Sequence, residues 1–379
     1  MNPTAEFADL SRVLAGVFSQ GIDACLTEAA FNDLALRCFA YQFATNPVYE
    51  GFARGRGASP ETVRGWQDLP AVPTSGFKAV RLVSGDPRRV EKVFRTSGTT
   101  AGAERGEHHV LDLALYRASL LPNFSAHLVL DEADVRLLSL IPSPAELPSS
   151  SLSYMIGCVA DRLGPGRAEF YVDAGGRIDY GALRRALARA EAAEEPVLLV
   201  GTAFALVHWM DAMDEGAWTF RLAGGSRLME TGGFKGRSRT IPREEFYAAL
   251  TERLGVPAGM IVNEYGMTEL LSQFYEPVIR KAADPGLTER RHVPPPWVRT
   301  RVLDPVTLSP APDGSPGLLC HLDLANLGSV CAVLTEDLGV AVDDGFRVLG
   351  RSPGAEPRGC SLAMDELMAA TSLTNEGRP

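Results

Sequence analysis

The chain has 379 residues, 45% hydrophobic and 22% charged, enough for a large core divided among one to three domains. Its formal net charge of −10 argues against a basic face for nucleic acid or an anionic membrane, and no 18-residue apolar run marks a membrane span. Six cysteines (Cys25, Cys38, Cys158, Cys320, Cys331 and Cys360) lack CxxC spacing, and the N-terminus lacks the basic start and apolar stretch of a secretion signal. Free thiols in a cytoplasmic protein are the expectation.

Taken in chain order, the first 60 or so residues read as helical. Phe31, Leu34, Ala35 and Cys38 fall at i, i+3, i+4 and i+7, with Asn32 as a candidate cap. A turn-rich connector over 69–76 leads into 77–82. Buried strands are predicted over 135–141, 196–200 and 259–262, and helices over 111–121, 202–213 and 268–274. Strands alternating with helices indicate a largely parallel sheet, whose strand carboxyl ends are where such folds bind ligands. From about Val298 the texture becomes short alternating strands: 317–323, 330–335 and, after a turn at Asp343, Asp344 and Gly345, 346–349. The last 15 residues are expected to fray.

Two motifs carry the chemistry. Thr96, Ser97, Gly98, Thr99, Thr100, Ala101 and Gly102 form a loop rich in hydroxyls and glycines, whose backbone N–H groups suit an anion nest. No lysine follows in the GxxxxGK[ST] pattern, so a P-loop NTPase is excluded. Downstream, Tyr265 offers a plane for a purine, Gly266 leaves room for it, and Thr268 and Glu269 open the predicted helix at its positive end. Glu269 is a candidate Mg²⁺ ligand, since that ion takes one or two carboxylates beside phosphate oxygens. Met229 to Gly236 is a further glycine-dense turn that could wall a purine, or be a plain loop. The pair of motifs in this order points to ATP-dependent activation of a carboxylic acid.

At these residues the sequence resembles the adenylate-forming (acyl-AMP, ANL) superfamily. The matching points run in its motif order: Thr96 to Gly102, Thr231 to Gly233, Tyr265 to Glu269, Thr335 to Asp337, then Gly350 and Arg351. More narrowly it resembles the acyl-protein synthetases encoded with bacterial luciferases (LuxE-like, long-chain-fatty-acid–protein ligases). That likeness rests on Phe31-Asn32, Phe39 to Gln42, Asn46 to Tyr49, Trp66 to Pro70, Phe77-Lys78, Asn263 to Gln273, Leu334 to Gly339 and Arg358 to Leu362.

The resemblance implies an α/β adenylate-forming large-domain fold, with mostly parallel sheets flanked by helices and a smaller β-rich C-terminal subdomain. The expected organisation is an N-terminal helical segment (1–67) packed on the main domain, an α/β core (68–297), a β-rich subdomain (298–350) and a short tail (351–379). Only 28 residues follow Arg351, so the mobile C-terminal domain of larger members is expected to be absent. The reaction implied is formation of acyl-AMP and pyrophosphate from ATP and a carboxylic, fatty acid with Mg²⁺, then transfer to a cysteine thiol and on to a partner such as an acyl reductase.

Carried over by residue, Thr96, Ser97, Gly98, Thr99, Thr100 and Gly102 would hold phosphates. Gly232, Gly233, Tyr265, Gly266 and Thr268 would frame the nucleotide, Asp337 and Arg351 would contact the ribose, and Glu269 would bind Mg²⁺. Ala101 stands where the superfamily has glycine, and Glu336 replaces the glycine before the ribose aspartate. With the mobile domain's lysine absent, Lys78 and Lys235 are the candidate cations, although a solvated surface lysine is the commoner fate of each. Cys360 is the candidate acyl acceptor: Arg358 beside it would favour thiolate, and Gly359 would let the segment swing. Its alternative is a buried structural cysteine. Ser151, Thr202 and Phe204, with His208, are candidates for the acyl pocket. Two other functions stay open: delivery of the acyl group to coenzyme A, a carrier protein or an amine, and a non-catalytic nucleotide-binding scaffold.

Overall fold

The computed structural model describes residues 2–97, 105–130, 134–232, 241–282, 285–351 and 358–376, with side chains to 371. Helices open the chain: α1 (Pro3–Phe18), α2 (Glu28–Thr45) and α3 (Pro47–Gly55). Each has a side-chain cap. Asn2 accepts from the Thr4 N–H and Thr27 from the Ala30 N–H, while Asn46 ends α2 and starts α3 by accepting from the Tyr49 N–H. Phe31, Leu34, Ala35 and Cys38 are buried along α2, as their period requires. Asn32 is not the cap expected of it. Thr27 begins the helix five residues earlier, and Asn32 instead accepts the Trp66 N–H at 2.8 Å and donates to the Arg64 carbonyl at 3.3 Å.

Next come β1 (Val72–Pro73), α4 (Gly76–Ala79), β2 (Lys92–Arg95), β3 (Glu107–Val110) and α5 (Leu113–Leu128). The α/β stretch follows: β4 (Arg136–Leu140), α6 (Ser151–Leu163), β5 (Ala168–Phe170), α7 (Tyr180–Ala192), β6 (Val197–Thr202), α8 (Ala203–Glu215), β7 (Arg227–Thr231), α9 (Arg243–Leu254), β8 (Ile261–Tyr265) and β9 (Phe274–Tyr275). The chain ends with β10 (Val298–Leu303), β11 (Gly317–Asp323), β12 (Ala332–Val342), β13 (Gly345–Arg351) and α10 (Arg358–Glu376).

These elements divide into two compact units that are not consecutive in sequence. The first comprises residues 1–122, 267–272 and 294–379; the second comprises 123–266 and 273–293, so the division falls within α5.

The first unit is built on a five-stranded sheet. Its order is β1-β12-β11-β10, with β13 also on β12; every pairing is antiparallel except β1 on β12. The alternation expected of these strands fails in β11, which is buried at every position, and β12 runs to 11 residues rather than a short strand. Both faces of β11 are covered, so polarity has no solvent side to alternate toward. The hairpin β2–β3 stands separately, paired from Lys92–Val110 to Arg95–Glu107. The frayed tail is likewise replaced by structure: α10 extends to Glu376 and buries Cys360, Ala363, Leu367 and Ala370. A Cβ on Gly76 would stand 2.6 Å from Leu367, and one on Gly51 would stand 3.1 Å from Ala370, so α10 packs closely on α4 and α3.

The second unit is the predicted parallel sheet, ordered β5-β4-β6-β7-β8-β9, with only β9 antiparallel. Its core joins Leu138, Leu199, Leu228 and Ile261 on the strands to Leu187, Leu206, Trp209, Phe246 and Leu250 on α7, α8 and α9. Helix α8 starts directly beyond the carboxyl end of β6, capped by Thr202, and α6, capped by Ser150, follows β4 after a loop. Among the described residues, no helix is long and apolar enough to cross a membrane.

Candidate active site

In the first unit Lys78 lies at the base of the hydroxyl-rich loop. That loop joins β2 to β3, and its ends are pinned: the Thr96 N–H donates to the Gly106 carbonyl and the Gly106 N–H to Thr96 Oγ1, each at 2.9 Å. A Cβ on Gly106 would meet Thr96 at 3.0 Å and the Lys78 stem at 3.3 Å, so Lys78 lies close against the loop's root. Ser97 is exposed beyond this clamp. Gly98, Thr99, Thr100, Ala101 and Gly102 lie outside the described residues, as do Gly233 and Lys235.

Glu269 occupies the turn formed by residues 267–272, not a helix. The expected helix over 268–274 fails because buried side chains capture its backbone. Asp323 accepts the N–H groups of Leu271 (3.1 Å) and Ser272 (2.8 Å), Asn326 accepts Leu271 N–H at 3.0 Å, and Asn326 Nδ2 donates to the Glu269 carbonyl at 2.8 Å. The Glu269 residue is 7% exposed. Burial pushes its carboxyl up to about 7 against the pull of Lys78 and Arg351, and the Glu336 charge adds to the rise. A buried acid whose cationic neighbours do not offset its desolvation is suited to a divalent cation, so Glu269 fits the Mg²⁺ role. Among the described residues no group of three or more acidic, histidine or cysteine side chains makes a protein-only metal cage.

Asp337 and Arg351 are register partners across β12 and β13. Arg351 reaches Asp337 at 3.6 Å and Glu336 at 3.7 Å, yet its side chain is 69% exposed. At such distances and with Arg351 so exposed, the pair is a weak surface contact. Thr335, two residues earlier, holds the strand: its hydroxyl donates to the Leu319 carbonyl at 2.8 Å and accepts the Asp337 N–H at 3.1 Å.

Cys360 lies in the first turn of α10, fully buried, with its Sγ 3.6 Å from the Thr335 carbonyl oxygen. Gly359 is not a free swivel here. Its N–H donates to the Pro305 carbonyl at 2.9 Å, and a Cβ would come within 2.6 Å of Leu308. Arg358 is exposed.

In the second unit the remaining candidates sit at strand carboxyl ends, where the sheet topology puts ligands. Ser151 begins α6 after β4, and Thr202 ends β6. Thr202 Oγ1 is engaged in capping, accepting the Ala205 N–H at 3.1 Å. Phe204 meets His208 edge-on, with centroids 4.4 Å apart. Gly232 follows β7 with φ +72°, a left-handed conformation suited to glycine. Tyr265, half-buried, ends β8 between Phe274 and His292. A Cβ on Gly266 would stand 2.3 Å from Glu264 Oε1, so this glycine makes room for its own unit's buried carboxyl.

That carboxyl is among the residues that the sequence left unmarked. Glu264 accepts a hydrogen bond from the Thr231 hydroxyl, bridging β8 to β7, and burial pushes it up to about 7. Beside it Glu230, also pushed up to about 7 by burial, accepts from the Tyr247 hydroxyl at 3.0 Å and from Asn263. Asn263 in turn bonds His292 Nε2 at 2.6 Å. Glu276 takes Arg243 at 2.7 Å and Arg290 at 3.3 Å. In the first unit, His108 was likewise unmarked; burial holds its imidazole down to about 4. Only the apolar flanks of Glu264 hinted at burial; nothing local distinguished His108.

The α/β fold that carries these residues is one found in acyl-activating ligases. A solved structure of 2-hydroxyisobutyryl-CoA ligase, in an open conformation with 2-HIB-AMP and CoA, shares the fold with a TM-score of 0.61 over 85% of this chain and 75% of that one, at 14% identity. The chain belongs to the acyl-protein synthetase (LuxE) family, whose profile matches residues 26–369. It is similar to long-chain-fatty-acid–luciferin-component ligases of Vibrio harveyi (26% identical, covering 88% of this chain and 86% of the relative) and Aliivibrio fischeri (25%, covering 87% and 86%).

Proposed function

We propose that this ligase activates a fatty acid with ATP and Mg²⁺ and passes the acyl group through Cys360 to a protein acceptor. In the first step a carboxylate oxygen attacks the α-phosphorus and pyrophosphate leaves. The first-unit cluster supports it: Lys78 lies at the loop's root, and Glu269 is a buried carboxyl within the field of Lys78 and Arg351. Lys78 is exposed at that root, which suits it to the charge that builds on the departing pyrophosphate. Mg²⁺, when bound, would neutralise the phosphates beside Glu269. Asp337 and Arg351 would hold the ribose hydroxyls, and Tyr265 with Gly266 and Gly232 would frame the adenine. Ser151, Thr202 and Phe204 would line the acyl pocket.

In the second step the Cys360 sulfur attacks the acyl carbon, AMP leaves, and the thiol proton passes to solvent. For that the thiol must leave the Thr335 carbonyl and the first turn of α10 must move. The same burial favours a second reading, in which an external thiol or amine takes the acyl group directly and Cys360 is structural.

Intact-protein mass spectrometry after incubation with ATP, Mg²⁺ and a series of carboxylic acids separates the two readings. A hydroxylamine-labile acyl adduct that needs ATP and is lost in Cys360→Ala is the expected result. Pyrophosphate release without an adduct selects the external acceptor. No pyrophosphate with any acid overturns the proposal.

A further inference from the structure

The turn bearing Glu269 is held by buried side chains from several elements. Asp323 and Asn326 fix the Glu269, Leu271 and Ser272 backbone groups from the β11 side. From elsewhere come the Ser119 hydroxyl of α5, donating to the Leu271 carbonyl at 3.1 Å, and His108 Nδ1, bonded to the Thr268 carbonyl oxygen at 2.8 Å. His108 lies on β3, two residues past the Gly106 clamp that closes the phosphate loop. Its ring meets Phe77 edge-on at 5.5 Å, beside Lys78 in sequence. The residue is 1% exposed. Three pieces of the candidate site therefore meet at one imidazole: the loop's root, the helix of Lys78 and the turn of Glu269.

The chemistry of that contact is determined by its partner. A carbonyl oxygen only accepts, so Nδ1 carries the proton and Nε2 is an unprotonated acceptor. Nε2 is buried with no hydrogen-bond partner. An apolar ring would pack on Phe77 without burying a lone pair, which is unfavourable. What only the imidazole supplies is the N–H that ties the turn to the hairpin.

We propose that His108 is a positioning residue for Mg·ATP: through its Nδ1–H it holds Thr268 and Glu269 against the β2–β3 hairpin closed by the Thr96–Gly106 clamp. The inference rests on the reading of Glu269 and the phosphate loop given above. Without the bond, the turn keeps its Asp323, Asn326 and Ser119 anchors but loses its tie to the hairpin. The predicted defect is therefore in binding rather than in folding.

The test measures Mg·ATP affinity by titration calorimetry, without acid, on the full chain carrying His108→Phe, His108→Asn, His108→Gln or Glu269→Gln. Asparagine places an N–H close to the Nδ1 position; glutamine places its amide near Nε2. ATP–pyrophosphate exchange with an accepted acid gives KM for Mg·ATP against kcat. The expected result is affinity weakened about tenfold or more in His108→Phe and His108→Gln, equivalent to about 1.4 kcal/mol or more, with KM moving more than kcat. His108→Asn should return to within about threefold of wild type. If His108→Phe does not fold, the Asn and Gln pair carries the same comparison. Equal losses in Asn and Gln, or wild-type affinity in Phe or Gln while Glu269→Gln is weakened, overturn the role of His108. Unchanged affinity in Glu269→Gln overturns the underlying assignment of Glu269 instead.

Discussion

Glu264 leaves water on folding with one hydroxyl for a partner, and its titration shows the result. Burial is the main reason that it is pushed up to about 7, and the nearby Glu230 charge adds to the rise while Thr231 opposes it. In an unfolded chain a glutamate titrates near 4.3. Between those values the folded protein holds a proton that the unfolded chain has released. Its contribution to stability is therefore complete below about pH 4 and is lost as pH rises through about 7. A Glu264→Gln variant keeps the Thr231 contact and has no such loss. Relative to wild type it should gain stability of about 3 kcal/mol between pH 4 and pH 8. Urea midpoints measured at both pH values check this; parallel pH profiles for the two proteins would sink it.

Asp323 is a residue of a different kind. It accepts from two backbone N–H groups of the Glu269 turn, from the Ser272 hydroxyl at 2.8 Å and from the Ala325 N–H at 2.9 Å. Replacing it by alanine strands buried donors, each costing about 1–3 kcal/mol. Asp323→Ala should therefore lose about 3 kcal/mol or more in unfolding experiments, and Mg·ATP affinity with it, since the turn that carries Glu269 is released. Folding stability unchanged within error would contradict this account.

At the scale of elements, the N-terminus of α10 is the piece whose placement bears most on the chemistry. Its first turn buries Cys360 against Thr335 of β12, the strand that also carries Asp337. Gly359 permits the approach, because a Cβ there would collide with Leu308 and stand 2.9 Å from the Pro305 carbonyl oxygen. Gly359→Ala should push this turn outward. The reading is the rate of maleimide labelling at Cys360, followed by peptide mapping: an increase of about tenfold, equivalent to about 1.4 kcal/mol of easier opening, is expected. Labelling no faster than in wild type would mean that the helix tolerates the methyl without moving.

At the scale of the molecule, α10 is part of the first unit's core rather than an appendage. Leu367 is fully buried and approaches Gly76 so closely that no side chain fits between them. Leu367→Ala should cost about 2–5 kcal/mol through lost burial and the cavity left behind. Ending the chain at Arg351 removes Ala363, Leu367 and Ala370 together and should lower the melting temperature further than Leu367→Ala does. Equal melting temperatures for full-length and shortened protein would show that α10 contributes nothing to that core.

Much of this architecture was legible in the sequence because it is periodic. The spacing of Phe31, Leu34, Ala35 and Cys38 marks the buried face of α2, and the apolar runs around Leu138, Leu199 and Ile261 mark parallel strands, whatever surrounds them. Glycines and hydroxyls between Thr96 and Gly102 declare a loop for the same local reason, and the motif order declares the family. Tertiary structure alone decided the rest. The residues from Thr268 to Ser272 read as a helix start, yet Asp323 and Asn326, more than 50 positions away, bond their backbone groups and bend them into a turn. Thr27 rather than Asn32 caps α2 because Asn32 is drawn to Trp66. Lys78 meets the loop's root, and His108 meets Thr268, only because separate strands bring them there. Secondary structure follows from side-chain period within a dozen residues. A site is made of bonds between side chains and distant backbone, and those bonds exist only once the chain has folded.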